Sequence, residues 1–337
     1  MGDPAGVGPE VIAAVWADER VWRVCQPIVY GDRAVMQRAA ELRGLSGQVV
    51  AVGSAEKALA VTNKICMPCV EASFLDAATI EPGVVTALTG DAAYQAVVAA
   101  TELGLAGGAD GVVTAPISKA ALHAAGHDYP GHTELLAELC GVREFAMMLY
   151  LPKELAPRTR AGLGVIHTTL HQSLRSAIDS LSSDAILEKC RLAHDAATAY
   201  GAARPRIGVA ALNPHAGEGG LFGDEEMRLI APAVEAARVA GIDATGPHPV
   251  DTLMGRAVAG EFDAVVAMYH DQGHIALKLL GMHGAVNITL GLPIVRTSVA
   301  HGTAPDKAWR GVAETGGMIA AIEAAASLAK LRTRNDQ

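Results

Sequence analysis

The chain has 337 residues, half of them hydrophobic and only 4% aromatic, with 36 acidic against 27 basic residues and a formal net charge of −9. No run of Lys and Arg interrupts it, which argues against nucleic-acid binding, and its apolar stretches are of strand length, well short of the roughly 20 residues that span a bilayer. Five sparse cysteines (Cys25, Cys66, Cys69, Cys140 and Cys190), with no charged n-region followed by an apolar h-region, predict reduced thiols, no signal peptide and a cytoplasmic location.

The chain opens, with no strand before it, on the turn Gly2-Asp3-Pro4-Ala5-Gly6-Val7-Gly8-Pro9-Glu10. Pro9 suits a first helical position and Glu10 the positive end of a helix dipole. The segment reads equally as a tight turn or as a loop that admits a ligand. A strand is expected at Pro27–Gly31. Cys66-Met-Pro-Cys69 has redox-motif spacing without strand-to-helix context and reads as structural. Next come a helix over Asp91–Leu105, a strand over Gly111–Ala115, and helices over Ser118–Ala125 and Thr133–Cys140. At Gly131-His132-Thr133-Glu134 two compatible readings stand, N-terminal capping by Thr133 or an anion site for His132 and Thr133 at a helix N-terminus. Strands follow at Phe145–Tyr150, Leu163–His167, Arg206–Leu212, Asp263–Met268 and Ala285–Leu290, interleaved with helices at Asp184–Tyr200, Glu225–Ala240 and Gly317–Leu331. This alternation predicts an α/β fold with a mainly parallel sheet and helices on its faces.

In such folds ligands bind beyond the carboxyl ends of strands, and the polar motifs fall there. TAPISK follows GVVTA, NPHAGEGG follows RIGVAAL, and YHDQG follows DAVVAM. Three histidines close such segments: His171, His215 and His270. Neutral imidazole is the commonest ligand of a catalytic divalent metal, and three protein ligands with an open position are its usual pattern. With 12 histidines in the chain chance placement competes with this reading, and His167, four residues before His171, competes for its role. Lys278, Asn287 and Arg296 suit phosphate or carboxylate binding, though any single Lys or Arg is more often solvated surface. The loop His301-Gly302-Thr303-Ala304-Pro305-Asp306 suits a nucleotide or an ordinary turn.

Taken together, GDPAGVGPE, TAPISK, PGHTE, NPHAGEGGLFGDEE, AMYHDQG, VNITLGLP and RTSVAHGTA stand in the order and spacing of one family. The chain resembles the 4-hydroxythreonine-4-phosphate dehydrogenases of vitamin B6 biosynthesis, from Gly2 to about Ala326. That family is similar in fold to isocitrate and isopropylmalate dehydrogenases. The resemblance implies two α/β/α domains with an interdomain cleft, residues 1–125 with 280–337 carrying the glycine and nucleotide loops and residues 126–279 carrying the metal ligands and dimer contacts. It implies a homodimer with a shared active site, a divalent metal (Zn, Co, Mg or Mn) on His171, His215 and the partner's His270, and substrate contacts from His132, Thr133, Lys278, Asn287 and Arg296. NAD or NADP would lie along Gly291, Leu292, Pro293, His301, Gly302 and Thr303, with Lys278, Asp251 and Asp271 as candidate catalytic groups.

The implied reaction oxidises 4-hydroxy-L-threonine 4-phosphate to 2-amino-3-oxo-4-phosphooxybutanoate, which loses CO2 to give 3-amino-2-oxopropyl phosphate. HDYPGHTELLAEL, LFGDEE, HDQGHIALKLLG and the Ala308-Trp309 pair look more like a branch acting on 4-phospho-D-threonate or 4-phospho-D-erythronate, yielding dihydroxyacetone phosphate. A metal-dependent lyase or isomerase without a redox step is a further alternative.

Overall fold

The computed structural model describes residues 1–281 and 284–335, the last four as backbone alone. It divides into two compact units, Met1–Arg143 with Leu292–Ala329, and Glu144–Gly291 with the residues from Lys330 onward. In chain order the strands are β1 (Val29–Gly31), β2 (Gln48–Val52), β3 (Cys66–Glu71), β4 (Val112–Thr114), β5 (Ala146–Leu151), β6 (Leu163–His167), β7 (Arg206–Ala210), β8 (Asp243–His248), β9 (Ala264–Ala267), β10 (Val286–Leu290) and β11 (Arg296–Val299).

In the first unit β1, β3 and β2 form a parallel sheet, and β4 pairs in parallel with β11. Trp16, Met36 and Met67 fill one of its cores, and Val7, Val11, Ile319 and Met318 another. The opening glycine turn is consumed by packing. The Glu10 carboxylate, fully buried, accepts from Trp309 N at 2.9 Å and Gly311 N at 2.8 Å, while Trp309 Nε1 donates to the Pro4 carbonyl at 2.9 Å. Gly2 has φ +77, and a Cβ there would lie 2.5 Å from the Pro116 carbonyl oxygen, so only glycine fits.

In the second unit the strand order is β10-β5-β6-β9-β7-β8. β6, β9, β7 and β8 run parallel, whereas β5 is antiparallel to both neighbours. The link from Leu151 to Leu163 carries no helix, so it returns the chain antiparallel rather than crossing over. β5, β6 and β9 are buried along their whole length, as strands covered on both faces must be.

Most expected elements recur with shifted ends. β2, β3, β8 and β11 were not anticipated from sequence, and Cys66 and Cys69 lie on β3, three residues apart along a strand and therefore facing opposite ways. The helix expected at Glu225–Ala240 instead begins as a π-helix, Glu226–Ile230, before the α-helix Ala231–Val239. YHDQG opens the helix His270–Gly281.

Candidate active site

β6, β9 and β7 are adjacent and parallel, with Ile166 opposite Val266 and Val266 opposite Val209. Their carboxyl ends therefore share one edge of the second unit, and His171, His270 and His215 follow those ends in turn. The rings of His171 and His270 approach to 5.9 Å between centroids, and Asp271 Oδ1 accepts from His270 Nδ1 at 2.6 Å. His171 and His215 are exposed and His270 is partly so. His215 packs against Phe222, centroids 6.4 Å apart. Among the described residues of this single chain, no three His, Cys, Asp or Glu side chains close around a point. His167 does not replace His171 at this edge, because it is buried and its Nδ1 faces the Met147 carbonyl at 3.4 Å.

His215 sits in an unusual backbone. From His215 to Gly219 five successive residues are left-handed, with φ between 44 and 74, and three of them (His215, Ala216 and Glu218) are not glycine. Each such residue costs about 1–2 kcal/mol, so the turn needs an anchor. Glu226, 3% exposed, supplies it by accepting from Leu212 N at 2.8 Å, Asn213 N at 2.7 Å and Asn213 Nδ2 at 3.0 Å. Burial alone would raise the Glu226 pKa, but these hydrogen bonds outweigh it and hold the carboxyl below its ordinary value. A Cβ on Gly217 would lie 2.6 Å from Glu226 Oε2, so turn and anchor fit only with glycine there. Glu226→Leu strands two backbone donors, and chemical denaturation is expected to show a loss of about 1–3 kcal/mol for each. An unchanged denaturation midpoint would remove Glu226 from this role.

A second constellation lies in the first unit. The helix His132–Leu139 starts at Gly131, which caps it with no side-chain hydrogen bond, so Thr133 is not the cap expected from the sequence. The first-turn N–H groups therefore remain available to an acceptor. His132 Nε2 is sealed from solvent and has no partner. Arg296 is 1% exposed and donates through Nη2 to Thr114 Oγ1 at 2.7 Å. Burial lowers its guanidinium to about 9 while the Glu134 carboxylate opposes the shift, so it stays cationic at neutral pH. Burial, then the charge of Arg296, pulls His132 well below the imidazole range and keeps it neutral. A buried cation, an unused imidazole nitrogen and an uncapped helix start together suit an oxyanion.

The remaining sequence candidates are dispersed. Lys278 is half-buried on the helix of His270. Asn287, on β10, directs Nδ2 to Met147 Sδ at 3.4 Å and buries an unpartnered Oδ1. Asp251 is exposed in the first turn of Val250–Val258. Gly291 has φ +85 and no room for a Cβ against Glu144. Leu292 packs with Leu135 and Leu136, while Pro293, His301 and Gly302 are exposed. The Thr303 carbonyl accepts from Val7 N at 3.0 Å.

Sequence reasoning missed the pairing of His167 with His274. Burial pushes both imidazoles below their ordinary range and holds them neutral. The one signal available was the position of His274 a single helical turn after His270.

The family model described as pyridoxal phosphate biosynthetic protein PdxA matches residues 23–325. The chain is 48% identical to the 4-hydroxythreonine-4-phosphate dehydrogenase of Geobacter metallireducens, over 98% of this chain and 95% of that protein. It is 44% identical to the D-threonate 4-phosphate dehydrogenase of Pectobacterium atrosepticum, over 98% of each. Its fold is similar to the crystal structure of a 4-hydroxythreonine-4-phosphate dehydrogenase from Klebsiella pneumoniae, with a TM-score of 0.84, 43% identity and 98% of each chain covered.

Proposed function

The chain belongs to the PdxA family of pyridoxal phosphate biosynthetic proteins, and from that premise we propose that it is a metal- and NAD(P)-dependent dehydrogenase of a 4-phosphorylated hydroxy acid, with oxidation followed by decarboxylation. The observation that supports this reading is that His171, His270 and His215 each follow the carboxyl end of one of three adjacent parallel strands. Imidazoles there, two exposed and one partly so, suit a divalent cation of the Zn, Co, Mg or Mn series. When bound, the cation supplies charge that lowers the pKa of the substrate hydroxyl, and the nicotinamide accepts a hydride.

The chain's own groups do the rest. Arg296, Thr133 and the helix start at Gly131 bind the phosphate, and neutral His132 adds a hydrogen bond without charge. Asn287 orients the substrate. Asp271, engaged with His270 Nδ1, holds that ring, which leaves Lys278 and Asp251 for proton transfer. His301, Gly302, Thr303 and Gly291 to Pro293 would border the NAD or NADP.

The active unit we propose is a homodimer that shares this site. Ile275 and Leu279, 58% and 83% exposed on the helix of His270, suit burial against a second copy, and one chain alone does not close a three-ligand cage among its described residues. Among the described residues no helix is long and apolar enough to cross a membrane. The five free thiols suit a reducing cytoplasm.

4-Hydroxy-L-threonine 4-phosphate is the first substrate of this reading. 4-Phospho-D-threonate or 4-phospho-D-erythronate is the second, favoured by the 44% identity to a D-threonate 4-phosphate dehydrogenase. Assaying NADH or NADPH formation and CO2 release from each acid, with each metal and after chelation, separates them. Turnover of the amino acid supports the first and turnover of the sugar acids alone the second. Reduction of neither nucleotide with any acid and metal defeats both.

A further inference from the structure

Against the partly exposed ring of His270 lies a histidine pair that the proposed oxidation does not use. His167 ends β6 at 1% exposure, and His274 stands on the helix His270–Gly281 at 8%. His274 Nδ1 and His167 Nε2 are 3.0 Å apart, and His167 Nδ1 faces the Met147 carbonyl at 3.4 Å. A carbonyl only accepts. The hydrogen of His167 is therefore on Nδ1, its Nε2 is the acceptor, and His274 Nδ1 donates to it.

The plane of His274 is fixed by that bond, and on it lies the ring of His270, with centroids 3.8 Å and planes 12° apart. Asp271 in turn accepts the hydrogen of His270 Nδ1 at 2.6 Å. Between them these contacts restrict the rotation of His270 and assign its tautomer, which leaves Nε2 as the bare nitrogen. The arrangement also depends on Gly273, where a Cβ would lie 2.5 Å from His167 Nε2 and 2.6 Å from Val165 Cγ1. Any side chain there displaces the buttress.

We propose that His274, backed by His167 and the Met147 carbonyl, is a positioning residue that holds His270 with Nε2 presented to a divalent cation. The inference rests on the three-histidine reading above. Groups that orient a metal-bound imidazole are typically worth 10–100-fold in metal affinity.

The test titrates the full chain with Co²⁺ alone, following its visible d–d absorption, for the wild type, His274→Leu, His274→Gln and His215→Ala. Leu removes both stack and hydrogen bond, whereas Gln keeps a donor toward His167 and fills the site should Leu unfold the chain. Both are expected to weaken Co²⁺ binding by about 10–100-fold. Long-range ¹H–¹⁵N spectra of the metal-free protein give a second readout that a merely structural role would not move. The wild type should show His270 protonated on Nδ1 alone, and the variants a mixture of tautomers. If His215→Ala loses the ion while folded His274 variants bind within about twofold of wild type, short of the loss expected of such a group, the positioning role is overturned and the metal site stands. If His215→Ala also binds as wild type, the three-histidine reading fails and the proposal with it.

Discussion

Replacing His215 by glycine should leave the chain folded and at least as stable, while divalent-metal binding is lost and turnover falls by at least about 10³-fold, the equivalent of about 4 kcal/mol of charge stabilisation. Two opposite effects meet at this residue. Its backbone is left-handed, with φ 52 and ψ 29, where a Cβ is penalised by about 1–2 kcal/mol and glycine is not. Its imidazole has no buried partner to lose, being exposed beside Phe222. Glycine therefore relieves strain and removes only the proposed ligand, although the greater freedom of the unfolded glycine chain returns part of the gain. A denaturation midpoint at or above wild type, together with collapsed rates at saturating metal, is the expected pair of measurements. Wild-type turnover in His215→Gly would remove this residue from the site. The expected pair of results would fit backbone strain tolerated for the sake of function at this position.

Arg296→Met is expected to lower kcat/KM for the phosphorylated substrate by about 10²–10³-fold, since truncating one member of a buried charge pair costs about 2–5 kcal/mol. Most of the loss should appear in KM, because the phosphate is bound equally before and during oxidation. Arg296→Lys should recover little. A guanidinium can donate to Thr114 and a phosphate from one planar fork, whereas a Lys ammonium is a point charge on a flexible stem. Steady-state rates with the same acid lacking its phosphate give the control. There the wild type and both variants should differ by only a few-fold, because the lost contact has no phosphate to act on. Equal losses with and without the phosphate would assign Arg296 a structural rather than a binding role.

Much of the sheet beneath the candidate site was legible before any fold was known. The strands ahead of the histidine motifs follow from short apolar runs bounded by polar turns, and β6 was anticipated to the residue at Leu163–His167. Elements whose residues obscure their pattern were not. β8 reads Asp-Ala-Thr-Gly-Pro-His, and its Gly and Pro argue against a strand in isolation; pairing with β7 overrides them. Glu225–Ala240 has one helical periodicity throughout, yet its first turn widens to a π-helix where Glu226 anchors the loop of His215. Thr133 has the chemistry of a cap, but Gly131 occupies that position.

Local chemistry determined where polar segments interrupt apolar ones, which side chains are competent to bind metal or phosphate, and that these stand at strand ends. It put His171 forward as a metal ligand, with His167, four residues earlier, as a competitor. Only the tertiary structure shows how their surroundings differ: it buries His167 at the end of β6 against His274, 107 residues away, and leaves His171 exposed. Periodicity acts over one or two turns of chain, whereas burial and hydrogen-bond partners are assigned by whichever distant segments pack alongside. The role of an imidazole is therefore a property of its neighbours as much as of its sequence.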